Sequence, residues 1–174
     1  GILWDDVFTK YFYNYQTVAI MLILVGVVFI IIERSNKNKI AKIDSIDDIS
    51  YGQAFLIGVF QMIAAIFPGT SRSGSTIVGS LMLGISRTAA AEFTFFLAVP
   101  AMFGGSAIKI LKYSGGFNSA EVALLAIGMI VAFVLSIIAI KFLMSYIKKH
   151  DFKVFGWYRI ILGIAVIGYF LAAR

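Results

Sequence analysis

The lengths of the charge-free runs constrain this chain more than any other feature. Residues 11–32, 22 in a row, carry no Asp, Glu, Lys or Arg. Residues 122–140 give a second clean run of 19. Residues 154–173 are broken only by Arg159, and 87–108 form another apolar stretch. A helix crossing a hydrocarbon core about 30 Å thick needs about 20 apolar residues. The runs therefore predict four full spans in an all-α, polytopic membrane helix bundle, one transmembrane domain over 1–174. Composition agrees: 60% of residues are hydrophobic and 14% charged, where a soluble domain carries about 25% charged residues.

Cysteine is absent and histidine occurs once, which excludes a disulfide framework and argues against thiolate or His-cluster metal sites. The net charge of +6 is a topology signal, not a nucleic-acid one, because the lysines fall in short loops between apolar runs. Loops 33–48 and 141–153 share a side by parity and hold Arg34, Lys37, Lys39, Lys42, Lys141, Lys148, Lys149 and Lys153. The other side has Lys10, Lys109, Lys112 and Arg174. The excess of positive charge places the first side in the cytoplasm and both termini outside. Tyr11, Phe12, Tyr13 and Tyr15, and at the last span Trp157 and Tyr158, are placed for an interfacial belt. The chain opens on Gly1 with no signal-peptide layout, and the expectation is that it is a portion of a longer one.

Between the first two lysine-bearing regions the pattern breaks. The run 49–71 is interrupted by Pro68-Gly69, and after Arg72 only 14 uncharged residues, 73–86, follow. A helix of that length reaches about 21 Å, too short to cross. Two short pieces meeting at a Pro-Gly break predict a re-entrant helix-loop-helix hairpin over about residues 50–86. Irregular backbone at membrane depth is tolerated only where protein or water surrounds it.

Residues 61–80 read QMIAAIFPGTSRSGSTIVGS. Pro68 ends the first helix, and Gly69 and Gly74 permit unusual backbone angles and close approach of a ligand. The second helix is expected to begin near Ser73 or Gly74. Its N-terminus offers unpaired N–H groups and a positive dipole end, which bind anions. Arg72 adds a planar fork of donors matched to phosphate. Thr70, Ser71, Ser73 and Thr76 supply hydroxyls, and Gln61 stands one or two helical turns away. A lipid-facing Arg near the bilayer centre costs about 2.5–3.5 kcal/mol, so Arg72 is read as lining a polar cavity. The loop is not a Walker A motif, since the Gly-Lys-Ser/Thr ending is missing. Gly79 and Gly84 are read as packing residues.

Other polar groups give weaker signals. Arg87 and Glu92 form either an interfacial pair on one helix or part of the cavity. Arg159 is read as a structural residue that snorkels to the interface. His150 lies in a charged loop and is expected to be solvated. Gln53 and Gln61, eight apart, share a helix face.

The stretch GVFQMIAAIFPGTSRSGSTIVGSLMLGISRTAAAEFTFFLAVPAMFG, with PGTSRSG at its centre, EFTFFLAVP after it and YRIILG near the end, resembles the bacterial undecaprenyl-pyrophosphate phosphatases of the bacitracin-resistance family. The resemblance runs over nearly the whole chain. It implies hydrolysis of undecaprenyl pyrophosphate to undecaprenyl phosphate and phosphate, which recycles the lipid carrier of cell-wall precursors in the bacterial plasma membrane. It implies a fold of two inverted repeats, each with a re-entrant hairpin, and a site between the hairpins. Ser71, Arg72 and Thr76 match positions the family uses for substrate binding or catalysis. The family's first repeat also carries a glutamate-rich motif and a Ser/His segment thought to hold Mg2+ or Ca2+. This chain has Gln61 and Ala65 where that helix would carry paired glutamates, so it resembles the C-terminal portion, with half a site and its metal ligands elsewhere.

On this reading Arg72 and Ser71 are the catalytic candidates, and Gly69, Thr70, Ser73, Gly74, Thr76 and Gln61 bind substrate. The expected partners are a polyprenyl pyrophosphate lipid, the bilayer and a second copy of the chain in a homodimer; nucleic acid is not among them. A transporter or flippase of polyprenyl phosphate lipids is the main alternative, because broken helices at mid-membrane serve transporters too. A purely structural membrane subunit is a third reading.

Overall fold

A computed structural model describes residues 14–37, 39–116 and 118–173. The belt residues Tyr11, Phe12 and Tyr13, and the outer-side charges Lys10 and Arg174, lie outside the described residues. The described chain is all-α. Its helices are α1 (Tyr15–Asn36), α2 (Tyr51–Ile66), α3 (Arg72–Met82), α4 (Arg87–Lys112), α5 (Ser119–Ile147) and α6 (Lys153–Ala172), with one 3-10 turn at Ile46–Asp48. Four of them, α1, α4, α5 and α6, are long and apolar enough to cross a membrane.

The helices outrun the charge-free segments. The segment expected over 122–140 is a helix of 29 residues. It starts early because Asn118 caps it: the Asn118 side chain accepts from Glu121 N at 2.8 Å, and Glu121 Oε2 accepts from Asn118 N at 3.0 Å. That reciprocal box satisfies two end donors and makes Glu121 part of the helix instead of its boundary. Of the residues of α5, only Ile147 is buried, and its Val, Leu, Ile and Phe side chains are exposed all round, the surface of a helix solvated by lipid tails.

The helices α1 and α6 form the tightest pair and run antiparallel. Tyr15 stacks on Phe170 at 4.0 Å at one end, and Phe29 meets Phe152 at 5.9 Å nearer the other. Glycines make the approach close: a Cβ on Gly26 would stand 2.7 Å from the Gly156 carbonyl oxygen. Small residues let backbones touch where apolar lipid offers no hydrophobic drive. Val25, Phe29, Val78, Leu81, Ala91, Ile147 and Phe152 make the central core, which joins this pair to α3, α4 and the end of α5.

The helices α2 and α3 are too short to count among the spans and pack on each other, with Gly79 pressed against the Phe60 ring. The chain enters and leaves this helix-loop-helix at one end. Lys42 N donates to Gly84 O at 2.8 Å and Ser86 N to Ile43 O at 2.8 Å, closing a single parallel bridge between Ile43 and Ile85. Loops 33–48 and 141–153 meet at that same end, as parity required, for Glu33, Lys42, Lys148 and Arg87 line one cavity there. The tip of the hairpin lies far away. A Cβ on Gly69 would fall 2.5 Å from Val18 O, and Val18 stands about 27 Å before Asn36 at 1.5 Å per residue.

Two expectations are corrected here. The second hairpin helix ends at Met82, not at 86, because Gly84 turns the chain at φ 81° and Ile85 N returns to Ser80 O. Arg87 pairs with Glu33, not Glu92. Its Nε lies 3.0 Å from Glu33 Oε1 and its Nη2 2.5 Å from Oε2, and Phe152 N adds a third donor at 3.1 Å. Residues five apart on a helix do not face each other, whereas Glu33, 1% exposed, comes from α1 with both oxygens turned to the Arg87 guanidinium. One carboxylate thereby ties together α1, α4 and the α5–α6 junction.

Candidate functional site

The loop between α2 and α3 is built as its residue types require. Thr70 N donates to Phe67 O at 3.3 Å, closing a four-residue turn with Pro68 and Gly69 at its centre. Gly69 has φ 90°, the angle that a Pro-Gly type II turn demands of its third residue. Ser71 follows at φ 62° and ψ 120°, the only non-glycine with positive φ among the described residues. Such a conformation costs about 1–3 kcal/mol and gathers at functional sites.

The strain places Ser71 as the N-cap of α3. Its Oγ accepts from Gly74 N at 3.2 Å and lies 3.2 Å from Ser73 Oγ; its carbonyl takes Ser75 N at 3.0 Å. The N–H groups of Arg72 and Ser73 remain as the donors without a helical partner. Helix α3 therefore starts at Arg72, one residue before the expected position, and the guanidinium rides on its first turn.

A cavity of about 200 Å³ opens beside that turn. Gln61 of α2, Arg72, Ser73 and Thr76 of α3, and Thr94, Ala98, Ala101 and Met102 of α4 line it. Four of the sequence candidates are thus brought together. Gln53 is not with them: it completes a capping box with Ser50 at the start of α2, Ser50 N donating to its Oε1 at 3.0 Å. Thr76 is 1% exposed. Its hydroxyl lies 3.1 Å from Arg72 O, 3.0 Å from Ser73 O and 2.9 Å from Thr94 Oγ1, so it binds α3 to α4 behind the cavity wall. Thr70 is buried, and its Oγ1 has no partner among the described residues.

A second cavity of about 130 Å³ lies on the other flank of Ser73 and Thr94, and Arg159 lines it. Arg159 is the residue that sequence reasoning misplaced. It does not reach for the interface. Its Nη1 donates to Thr70 O at 3.2 Å, and its guanidinium carbon sits 5.8 Å from the centre of the Phe29 ring. Gly74 makes room for it, since a Cβ there would stand 3.1 Å from Arg159 Nη2. The signal was present: a lone Arg inside a long apolar run defaults to a functional reading because it is costly in hydrocarbon. Thr94, shared by both cavities, gave no such signal.

The N-terminus of α3 is therefore bracketed by two guanidiniums, and among the described residues no Asp or Glu lines either cavity. Glu92 stands in neither. Arg72 makes no ion pair among the described residues. Positive charge, free N–H donors and hydroxyls meet in a setting whose walls are apolar helices. That is an anion-binding arrangement, and its size suits a phosphate-bearing group.

Comparison with known proteins accords with this. Residues 1–165 match the family described as bacitracin resistance protein BacA. An undecaprenyl-diphosphatase of Desulfitobacterium hafniense is 64% identical over 172 residues, 99% of this chain and 62% of that protein. Undecaprenyl-diphosphatase 1 of Clostridium acetobutylicum is 62% identical over 171 residues, 98% of this chain and 62% of the relative. An Enterococcus faecalis undecaprenyl-diphosphatase is 60% identical over 167 residues, 96% of this chain and 60% of its own length. The chain spans about 62% of the length of the first two relatives. With 165 of its 174 residues inside that match, the chain belongs to the bacitracin resistance protein BacA family.

Proposed function

We propose that this chain supplies the phosphate-binding half of a membrane phosphatase that hydrolyses undecaprenyl pyrophosphate to undecaprenyl phosphate and phosphate. The observation that carries the reading is the α3 N-terminus, held between Arg72 and Arg159 with no carboxylate among the described residues in either cavity. The relatives' activity and the family membership support it. Hydrolysis adds water across the P–O–P bridge, one phosphate staying with the lipid and one leaving. The barrier lies in charge on the phosphoryl oxygens and on the departing phosphate, so fixed donors aimed at those oxygens do most of the work. Arg72 and the N–H groups of Arg72 and Ser73 bind one phosphoryl group. Ser71, its lone pair engaged by Gly74 N, donates its proton to a phosphoryl oxygen. Arg159 fixes the loop through Thr70 O and adds its field. Gln61 completes the wall, Thr70 supplies the buried carbonyl that holds Arg159, and the polyprenyl tail lies along apolar helix faces.

A divalent ion, Mg2+ or Ca2+, belongs to the proposal only through ligands outside this segment. Among the described residues no group of three His, Asp or Glu side chains would hold one, and no step here runs through it. The hairpin is read as re-entrant, dipping from the lysine-rich face, in a multi-pass protein of the bacterial plasma membrane. With the lysine-rich face in the cytoplasm, the tip beside Val18 sits toward the outer leaflet, and substrate enters from there. A second copy of the chain packs through apolar helix faces in the homodimer reading.

The test is phosphate release from undecaprenyl pyrophosphate in detergent by the protein carrying this segment at its natural length. Wild-type protein should release phosphate, and Arg72→Ala should abolish release while its amount in the membrane stays level. Lipid that crosses between leaflets uncleaved would make the protein a transporter instead.

A further inference from the structure

A third cavity lies at the opposite end of α3 from Arg72, about 15 Å along that helix by its 1.5 Å rise per residue. Its volume is about 330 Å³, larger than either cavity at the hairpin tip. Lys37, Lys39, Lys42, Lys148 and Arg87 line it, with Glu33 as the only carboxylate among the described residues. Glu33 is already spent on Arg87 and on Phe152 N, so the lysine charges face the cavity uncompensated.

The walls are built rather than loose. The strand-like bridge holds the loop that bears Lys42 against the α3–α4 junction, through Lys42 N to Gly84 O at 2.8 Å and Ser86 N to Ile43 O at 2.8 Å. The aliphatic stem of Lys42 lies along Gly84, where an added Cβ would meet it at 3.5 Å. Asn36 Nδ2 closes another side by donating to Leu81 O at 3.1 Å. Lysines of a flexible loop lose much rotamer freedom on gripping a ligand; here part of that loss is met by the fold. The first N–H groups of α4 also point to this end, and a helix N-terminus favours an anion.

We propose that this cavity binds a phosphate-bearing anion, and that its source is the headgroup of an anionic phospholipid. The position argues for lipid. The cavity sits where α1 and α5 end and α4 begins, at the level where headgroups lie, and Ile40 on its rim is 95% exposed, placed to enter acyl chains. Basic pockets between spanning helices hold anionic headgroups in this way, each lysine near the surface contributing about 1 kcal/mol. The inference does not rest on the pyrophosphate reading, because none of the residues of the Arg72 cavity lines this one.

The test is native mass spectrometry of the detergent-purified chain offered phosphatidylglycerol and phosphatidylcholine in equal amounts. Wild-type protein should retain phosphatidylglycerol at least about tenfold over phosphatidylcholine. The variant Lys37→Gln/Lys39→Gln/Lys42→Gln/Lys148→Gln should bind both alike, and Lys109→Gln/Lys112→Gln at the other end of α4 should behave as wild type. Lys39→Gln alone, an exposed change that cannot unfold the protein, should lose part of the preference. Inorganic phosphate at millimolar concentration should leave bound lipid in place; if it strips the lipid, the source is free phosphate and the headgroup assignment is wrong. No lipid preference in the wild type, or an undiminished one in the quadruple variant, overturns the proposal.

Discussion

The two ends of α3 carry arginines in opposite circumstances. At the Met82 end, Arg87 is bound on two of its nitrogens by Glu33, whose carboxylate is almost wholly buried. At the other end, Arg72 and Arg159 flank two cavities that no carboxylate among the described residues lines. Arg72 is exposed and the Arg87 side chain is 39% exposed, so the charge that burial makes costly to leave unanswered is that of the Glu33 carboxylate. At the first end the protein answers it internally, and the product is a rivet between three segments. At the second end the protein supplies a strained Ser71 that caps the helix, a glycine opening at Gly74 that makes room for Arg159, and helix N–H donors that add positive potential. A fold that concentrates positive charge without a counter-charge is arranged for a ligand that brings one. The comparison separates an arginine that stabilises from arginines that bind.

The largest effect should come from Arg72. Arg72→Ala should lower phosphate release from undecaprenyl pyrophosphate by about 10³-fold, the scale on which charge stabilisation of a phosphoryl transition state acts, with the melting temperature in detergent unchanged. Glu33→Ala should do the reverse. It leaves the partly exposed Arg87 without its partner and the buried Phe152 N unanswered, and should cost about 1–3 kcal/mol of stability, read as a fall in melting temperature and in membrane yield. If Glu33→Ala left stability intact, or Arg72→Ala lowered it as much as activity, the contrast between the two ends would fail.

What the sequence made legible follows the same division. Spans were legible because hydrocarbon thickness is a ruler that charge-free runs can be laid against, and the four spanning helices start or end within a few residues of those runs. The Pro68-Gly69 break and the cluster of Gln61, Arg72, Ser73 and Thr76 were legible because local chemistry places them: a turn, an N-cap, a first helical turn. The Glu33–Arg87 pair was not legible, because its partners are 54 residues apart and Glu92 was nearer in sequence. Arg159 was misread for a related reason. Its position in an apolar run signalled function, but only the α1–α6 antiparallel packing, which sets Gly156 on Gly26 and Phe29 under the guanidinium, shows where it goes.

A smaller change tests whether Arg159 belongs with Arg72. Gly74→Ala would put a methyl group 3.1 Å from Arg159 Nη2 and 3.4 Å from the Phe29 ring. The backbone of Gly74 is helical, so Ala should favour the helix itself by about 1 kcal/mol. Stability should therefore hold or rise while the guanidinium is displaced from Thr70 O. Turnover should fall about tenfold, the cost of one misplaced charge-assisted hydrogen bond. Unchanged turnover would reduce Arg159 to a packing residue and leave Arg72 as the sole cationic contributor.

The finest distinction concerns Thr94, whose hydroxyl stands 2.9 Å from Thr76 Oγ1 in the wall between the two cavities. Thr94→Val keeps the shape and removes the hydroxyl. Thr76 still has Arg72 O and Ser73 O as acceptors at 3.1 and 3.0 Å, so it is not orphaned, and the loss should be about 1 kcal/mol, one ordinary hydrogen bond. The consequence for activity depends on what Thr94 does. If it only ties α4 to α3, the first turn of α3 keeps its caps and kcat should change by less than about twofold. If its hydroxyl also turns to a phosphoryl oxygen that enters beside Ser73, KM for the pyrophosphate should rise several-fold with kcat held. The arrangement favours the first outcome, since the Thr94 hydroxyl is already engaged with Thr76 Oγ1. A rise in KM without a fall in melting temperature would move the anion deeper, between the two arginines rather than beside one.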